Sequence, residues 1–252
     1  MSASIYYFAV RLFEQERFAQ AYRLTAYGLR ENPEDGQLWE LKGMIHHVQN
    51  EHSECIDALQ TAARFTCLKP VCRSTLADGL ARTGRINKAR RHYMAVFDDP
   101  GLSVTLLPYV ATGLAYIQEW NLCATVCRHW CKTCPDLSEP ALRLAFALGN
   151  SGADVQEVTD VAWHSVALSR DRLNTRVSIA ILLMNMNQGE EAYRFVCSLL
   201  RYDLNLIGCG CALEILQDIY TMADDSVRSA WCREIIRTAA EHNPDGSTDA
   251  GD

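Results

Sequence analysis

The stretch GLARTGRINKARRHYMAVFDDP, Gly79–Pro100, decides the fold. It reads as the end of one helix, a turn containing Gly84, a second helix carrying Ala89, Tyr93 and Val96, and a proline stop. Proline ends a helix because it has no N–H to donate and its ring clashes with the preceding turn. The same features recur at steps of 34 residues in both directions. Small residues fall at Ala9, Gly43, Ala77, Ala111 and Ala145, and a sixth step lands one residue short of Ala180. A second-helix position gives Ala21, Cys55, Ala89, Ala124 (one residue late), Val158 and Ala192. The stop position gives Pro33, Cys67 with Pro70 just after, Pro100, Pro135, Ser169 and Asp203. Three markers keep one register across about 200 residues, which is the signature of a repeat array.

The recurring residue types follow from packing. Two antiparallel helices approach closely only where one presents Ala or Gly to the other. Large apolar side chains then fill the space around the small ones: Leu41, Ile45 and Leu59 in the second unit, Leu76, Leu80 and Tyr93 in the third. A single pair of this kind cannot bury its own apolar face, so neighbouring pairs stack.

Length and markers together resemble the tetratricopeptide repeat (TPR). The second unit matches through Trp39, Gly43 and Ala62, with Cys55 in place of an alanine. The third matches through Leu76, Ala77, Ala89 and Tyr93, the first through Ala9, Ala21 and Pro33, and the sixth through Ala180 and Ala192. Units four and five depart from the pattern. Pro108 falls within the expected first helix of unit four, which should start late or kink there, and Val158 replaces the alanine of unit five. The resemblance implies an all-α, right-handed α-solenoid of about six helix-turn-helix repeats, with units near 3–34, 36–69, 70–102, 104–137, 138–171 and 173–204. Residues 205–243 read as a pair of capping helices, with Ser226 as an N-cap, and 244–252 as a disordered tail.

Composition narrows the function. The 252 residues are 48% hydrophobic and 22% charged, as in folded proteins. A formal net charge of −7 without a Lys/Arg-rich run argues against nucleic acid as a partner. No apolar run is long enough to span a membrane, and the N-terminal stretch lacks the basic flank of a signal peptide, so a cytoplasmic location is expected. Eleven cysteines cannot all pair within one chain, and in a reducing compartment they are mostly free thiols.

Four of them lie in CATVCRHWCKTCPD, Cys123–Asp136. Cys127, Cys131 and Cys134 are similar in spacing to the cluster ligands of radical S-adenosylmethionine enzymes, but that family holds them on a loop of a βα barrel. Here the repeat register places Ala124–Lys132 on a helix. There Cys123, Cys127 and Cys131 advance about 40° per step and form a slanted packing stripe. Zinc held by Cys131 and Cys134 with Cys127 or His129 is the lesser alternative, since structural zinc joins two ligand pairs and no second pair is evident. Cys209-x-Cys211 has the wrong spacing for one, and its GCGC context lacks the strand and lysine of a phosphate loop.

No catalytic motif is present, and no cofactor is expected. His46 takes a core aromatic position, His47 an inner-face one; His52 lies in a turn and His92 on an outer face, both solvated. The resemblance further implies that first helices line a concave groove. Its lining would be Tyr6, Val10, Phe13, Glu40, Met44, His47, Ser74, Asp78, Arg82, Thr112, Tyr116, Phe146 and Asn150, with Val177, Ile181 and Asn185 from unit six. Some TPR proteins clamp a carboxylate through Lys, Asn and Arg at such positions. Arg82 is here, the Lys and Asn set is not. The expected function is a non-catalytic interaction module (adaptor, scaffold or chaperone-like) binding a peptide segment of another protein, with homodimer contact open at the N-terminal edge. The alternative is a redox- or metal-responsive regulator using Cys123–Cys134.

Overall fold

The structure is a computed structural model that describes residues 2–242; the expected disordered tail lies outside the described residues. Among the described residues there is no strand. Fifteen α-helices occur there: α1 Ser2–Glu14, α2 Phe18–Glu31, α3 Gly36–Val48, α4 His52–Phe65, α5 Pro70–Arg82, α6 Ile86–Phe97, α7 Leu107–Tyr116, α8 Trp120–Thr133, α9 Ser138–Ser151, α10 Val155–Leu168, α11 Arg172–Asn185, α12 Gly189–Val196, α13 Arg201–Asn205, α14 Gly210–Met222 and α15 Ser226–His242. The chain forms two compact units, Met1–Val126 and Cys127–Asp252, and α8 runs through the boundary.

In the first unit α1 packs on α2, α3 on α4 and α5 on α6, while α1, α3, α5 and α7 also touch in succession. In the second, α9 packs on α10, α11 on α12 and α14 on α15, and α11 bridges α9 and α14. The residues that keep the 34-residue register are the ones pressed between these helices. Ala9, Ala21, Cys55, Ala77, Ala89, Ala145, Val158, Ala180 and Ala192 have no exposed surface, and Ala111 and Ala124 almost none. At Gly43 a Cβ would lie 2.5 Å from Leu59 Cγ and 3.4 Å from the Cys55 carbonyl, so a side chain there would force α3 and α4 apart. Overpacking of that kind costs about 1–3 kcal/mol.

The turn inside each pair is a second strict repeat. Left-handed residues occur at Glu16, Asn50, Gly84, Gln118, Gly152, Asn187 and Asp224, with φ between 55° and 77°. Each donates its N–H to the carbonyl three residues back, as Gly84 does to Ala81 at 3.0 Å. The next residue donates to the carbonyl five back, as Arg85 does to Leu80 at 2.8 Å and Glu119 to Leu114 at 2.9 Å. These two bonds are the Schellman closure of a helix C-terminus, which satisfies carbonyls that the helix leaves open. Only two of the seven positions are glycine, so residue type alone conceals a feature that the backbone repeats throughout.

Two local expectations are resolved by helix ends. A 3-10 turn, Val104–Leu106, precedes α7, and Pro108 sits in the first turn of that helix. The helix therefore starts late and does not kink, because the N–H that proline lacks is unused there. Ser226 is not the N-cap of α15. It is the first helical residue, and the Asp225 carboxylate accepts the Arg228 N–H at 3.2 Å. Asp225 also pairs with the Arg228 guanidinium at 2.7 Å and accepts the Tyr193 hydroxyl at 3.1 Å, ties that a serine cannot reproduce.

A left-handed conformation costs a residue with a Cβ about 1–2 kcal/mol relative to glycine. Gln118→Gly should therefore raise the unfolding free energy by about 1 kcal/mol, and Gly84→Ala should lower it by about as much. Urea unfolding of the two variants checks this. Both sites are open, nothing lying within 4 Å of a Cβ at Gly84 and Gln118 being exposed, so packing does not confound the reading.

Candidate functional site

The first helices of the first unit bring their side chains to one face. Lys69, in the turn before α5, donates from its ammonium to the Tyr6 hydroxyl at 2.9 Å and lies 3.5 Å from Glu40. Its backbone N–H is accepted by the same carboxylate at 2.8 Å. The Thr75 hydroxyl points to the Met44 sulfur at 3.3 Å. Asp78 accepts Arg82 Nε at 2.9 Å and lies 3.7 Å from His47 Nδ1, and the Arg82 guanidinium stands 5.6 Å from the Tyr116 ring centre. Side chains of α1, α3, α5 and α7 are thus linked in series.

Burial sorts the residues of this face. Glu40 and Ser74 are buried and present little to a ligand. Tyr6, Val10 and Phe13 are half-buried against Ala9, Ala21, Leu41 and Ile45, and Phe13 meets Phe18 edge-on at 5.5 Å, fastening α1 to α2. Met44, His47 and Asp78 are half-buried, whereas Arg82, Thr112 and Tyr116 are exposed. The exposed aromatic pair of α1 is Tyr7 and Phe8, on positions outside the expected lining. Lys69 was missed because it sits between repeats, where helical periodicity says nothing.

Electrostatically the face is self-neutralised. Hydrogen bonding to Tyr6 raises the Lys69 pKa, against a partial opposing effect of burial, and hydrogen bonding to Asp78 raises that of Arg82. Both cations are held by carboxylates of the same face, so no unpaired charge awaits a peptide carboxylate. Desolvation lowers the His47 pKa; Asp78 opposes this, while Arg82 and His52 add to it. Buried Nδ1 atoms of His47 and His52 have no hydrogen-bond partner, so His52 is not simply a solvated turn residue. Nor is His92, which is half-buried and has its pKa lowered by desolvation. His46 is buried, meets Tyr22 edge-on at 5.5 Å, and has its Nδ1 against the Glu51 carboxylate.

In the second unit a cleft of about 660 Å³ opens between α9 and α11. Phe146 and Asn150 line it from α9, Leu182 and Asn185 from α11, and Met186 and Gln188 from the turn that follows. No charged residue lines it. Asn150 donates to the Phe146 carbonyl at 2.8 Å. Of the unit-six residues, Val177 is buried, Ile181 half-buried, and only Asn185 is exposed toward the cleft.

Helix α8 packs its cysteine stripe inward. Cys123 and Cys127 are buried, the Cys123 thiol donating to the Ala111 carbonyl at 3.3 Å, while Cys131 and Cys134 are half-buried. Among the described residues no group of three or more His, Cys, Asp or Glu side chains is placed to hold a metal ion. No helix of the described residues is long and apolar enough to cross a membrane.

Solved structures share this arrangement. Over 96% of both chains it superposes on the C-terminal part of a TPR repeat-containing protein from Cytophaga hutchinsonii, with TM-score 0.67 and 12% identity. The fold is a tetratricopeptide-repeat array. A second TPR-like likeness is to PilF of Pseudomonas aeruginosa, with TM-score 0.60 and 9% identity over 86% of this chain and 97% of that one. A third is to the Cut9–Hcn1 hetero-tetramer of APC/C, with TM-score 0.54 and 13% identity over 95% of this chain and 42% of that chain. No known family description matches the sequence, and no curated protein matches it.

The TPR-like face carries a pH signature. The folded protein holds His47 below its ordinary 6.5, so as pH falls the unfolded chain takes up this proton first. Its contribution to stability is complete above about 6.5 and is withdrawn as pH falls below that value. Wild type should accordingly lose more stability than His47→Gln between pH 7.5 and pH 5.5, as read by urea unfolding of both. Equal losses would show that His47 is not desolvated in the fold.

Proposed function

We propose that the protein is a non-catalytic interaction module that holds an extended, uncharged segment of another protein on its first-helix faces. The cleft between α9 and α11 is the principal seat. The observation that carries this reading is the cleft's chemistry: about 660 Å³ without a charge, with Phe146, Leu182 and Met186 as apolar walls and Asn150, Asn185 and Gln188 as amides. That size is within the range of ligand-binding clefts. A side-chain amide both donates and accepts, as a peptide unit does, so such residues match main chain whatever its sequence. Apolar walls then select the anchoring side chains.

Asn150 and Asn185 stand 35 residues apart, one repeat, so a strand of peptide crossing both repeats meets the same amide twice. The self-neutralised face of the first unit supports the same choice of ligand, since Lys69 and Arg82 already have carboxylate partners. The reading also agrees with the printed descriptions of TPR-like neighbours: Naa15/Naa10 is bound to HypK, and Cut9–Hcn1 is a hetero-tetramer.

Selection from a random peptide library on the immobilised protein tests the proposal. Selected peptides should lack charge at their core and carry apolar anchors. Asn150→Ala with Asn185→Ala should weaken their binding at least tenfold, about 1.4 kcal/mol, with melting almost unchanged. Peptides that bind both proteins equally well, or a selection that yields none, would refute the cleft as the binding seat.

A further inference from the structure

The cysteine chemistry of this chain lies away from the stripe on α8. Cys209 and Cys211, at the start of α14, are joined as a disulfide with their Cα atoms 5.5 Å apart. Both residues are exposed, as are Gly208 and Gly210, and nothing lies within 4 Å of where a Cβ of either glycine would stand. A reductant thus has an open approach to the pair. Five of the other nine cysteines are buried. Burial pushes the Cys55 and Cys72 thiols up to about 12 and the Cys232 thiol up to about 11, and raises that of Cys131. The thiolate is the attacking species, so these are poor nucleophiles.

The bond is badly placed to be a structural staple. A cross-link stabilises a fold mainly by closing a long loop of the unfolded chain, and this one joins residues only two apart. The elements on either side have their own anchors. Ile207 and Ala212 are buried, α14 packs on α11 and α12, and the Tyr220 hydroxyl of α14 donates to the Val196 carbonyl at 3.0 Å. Opening the bond leaves each of these contacts in place. An exposed disulfide that holds nothing together is of the labile, exchangeable kind.

We propose that Cys209 and Cys211 form a redox-active pair that exchanges two electrons with a small thiol of the glutathione type. In the reductive direction one thiolate attacks either sulfur, forming a mixed disulfide and releasing the other cysteine as a thiolate. A second thiolate attacks the sulfur of the small thiol in that mixed disulfide. The products are one oxidised small-molecule disulfide and two protein thiols, whose protons come from the two thiols consumed. The reverse reaction uses the oxidised small disulfide as oxidant and returns both protons. Because the second cysteine is held close by, the mixed disulfide resolves within the chain and does not accumulate. This inference is independent of the peptide reading above.

The test equilibrates the full chain in buffers of varied reduced-to-oxidised glutathione ratio, quenches with acid, and labels thiols with a maleimide for peptide mass spectrometry. The peptide holding both cysteines should pass from no label to two labels across the series, with melting nearly constant. Cys209→Ser and Cys211→Ser should each instead carry one stable glutathione on the remaining cysteine in oxidised buffer. A pair that stays unlabelled at every ratio while the protein is folded, or stays fully labelled in oxidised glutathione alone, would overturn the proposal. So would labelling that appears only as the protein melts, which would make the bond a staple. The wild-type titration decides the matter even if neither serine variant folds.

Discussion

Everything in this molecule depends on how closely two helices can approach at a small residue. Where α3 meets α4, a Cβ on Gly43 would press on Leu59, and the equivalent alanines of the other repeats have almost no exposed surface. That approach sets the spacing of each pair. It lets Leu38, Ile45, Leu59 and Leu80 be buried to the last few square ångströms. A fully buried side chain of this size contributes about 1.5–3 kcal/mol, so a repeat that loses its contact loses the reason for its neighbours to stack.

The turns carry the second half of the constraint. Seven left-handed residues, each followed by a bond back to a carbonyl five residues earlier, reverse the chain at the same point of every pair. Five of the seven have side chains; Asn50, Asn187 and Asp224 tolerate this region, whereas at Glu16 and Gln118 the fold imposes it against local preference. Packing supplies the difference. Because the reversal is fixed, first helices succeed one another within each unit and place their outer positions on a common face.

On that face the chemistry is subdued by its own pairings. Glu40 faces Lys69, Asp78 faces Arg82, and Arg82 covers Tyr116. In the second unit, the cleft between α9 and α11 is lined by amide, aromatic and aliphatic side chains without a charge. The thiols divide in a similar way. Cys55, Cys123 and Cys127 act as small buried residues within the packing, whereas Cys67, Cys209 and Cys211 are exposed.

The repeat itself was legible in the sequence, since a period of 34 in Ala, Gly and Pro survives wherever close packing demands those residues. Ala9, Ala77 and Ala145 could be read directly as helix contacts. Pro108 limited α7 to a late start or a kink, and the structure decides for the late start because the proline falls in the first turn. Three features depended on groups far apart in the chain. Lys69 reaches Glu40 across 29 residues, the cleft forms between two repeats, and the Tyr193 hydroxyl reaches Asp225 across 32 residues. A periodic pattern encodes the surface each helix must bury. Which polar groups then meet is decided by distances that exist only once the helices have packed.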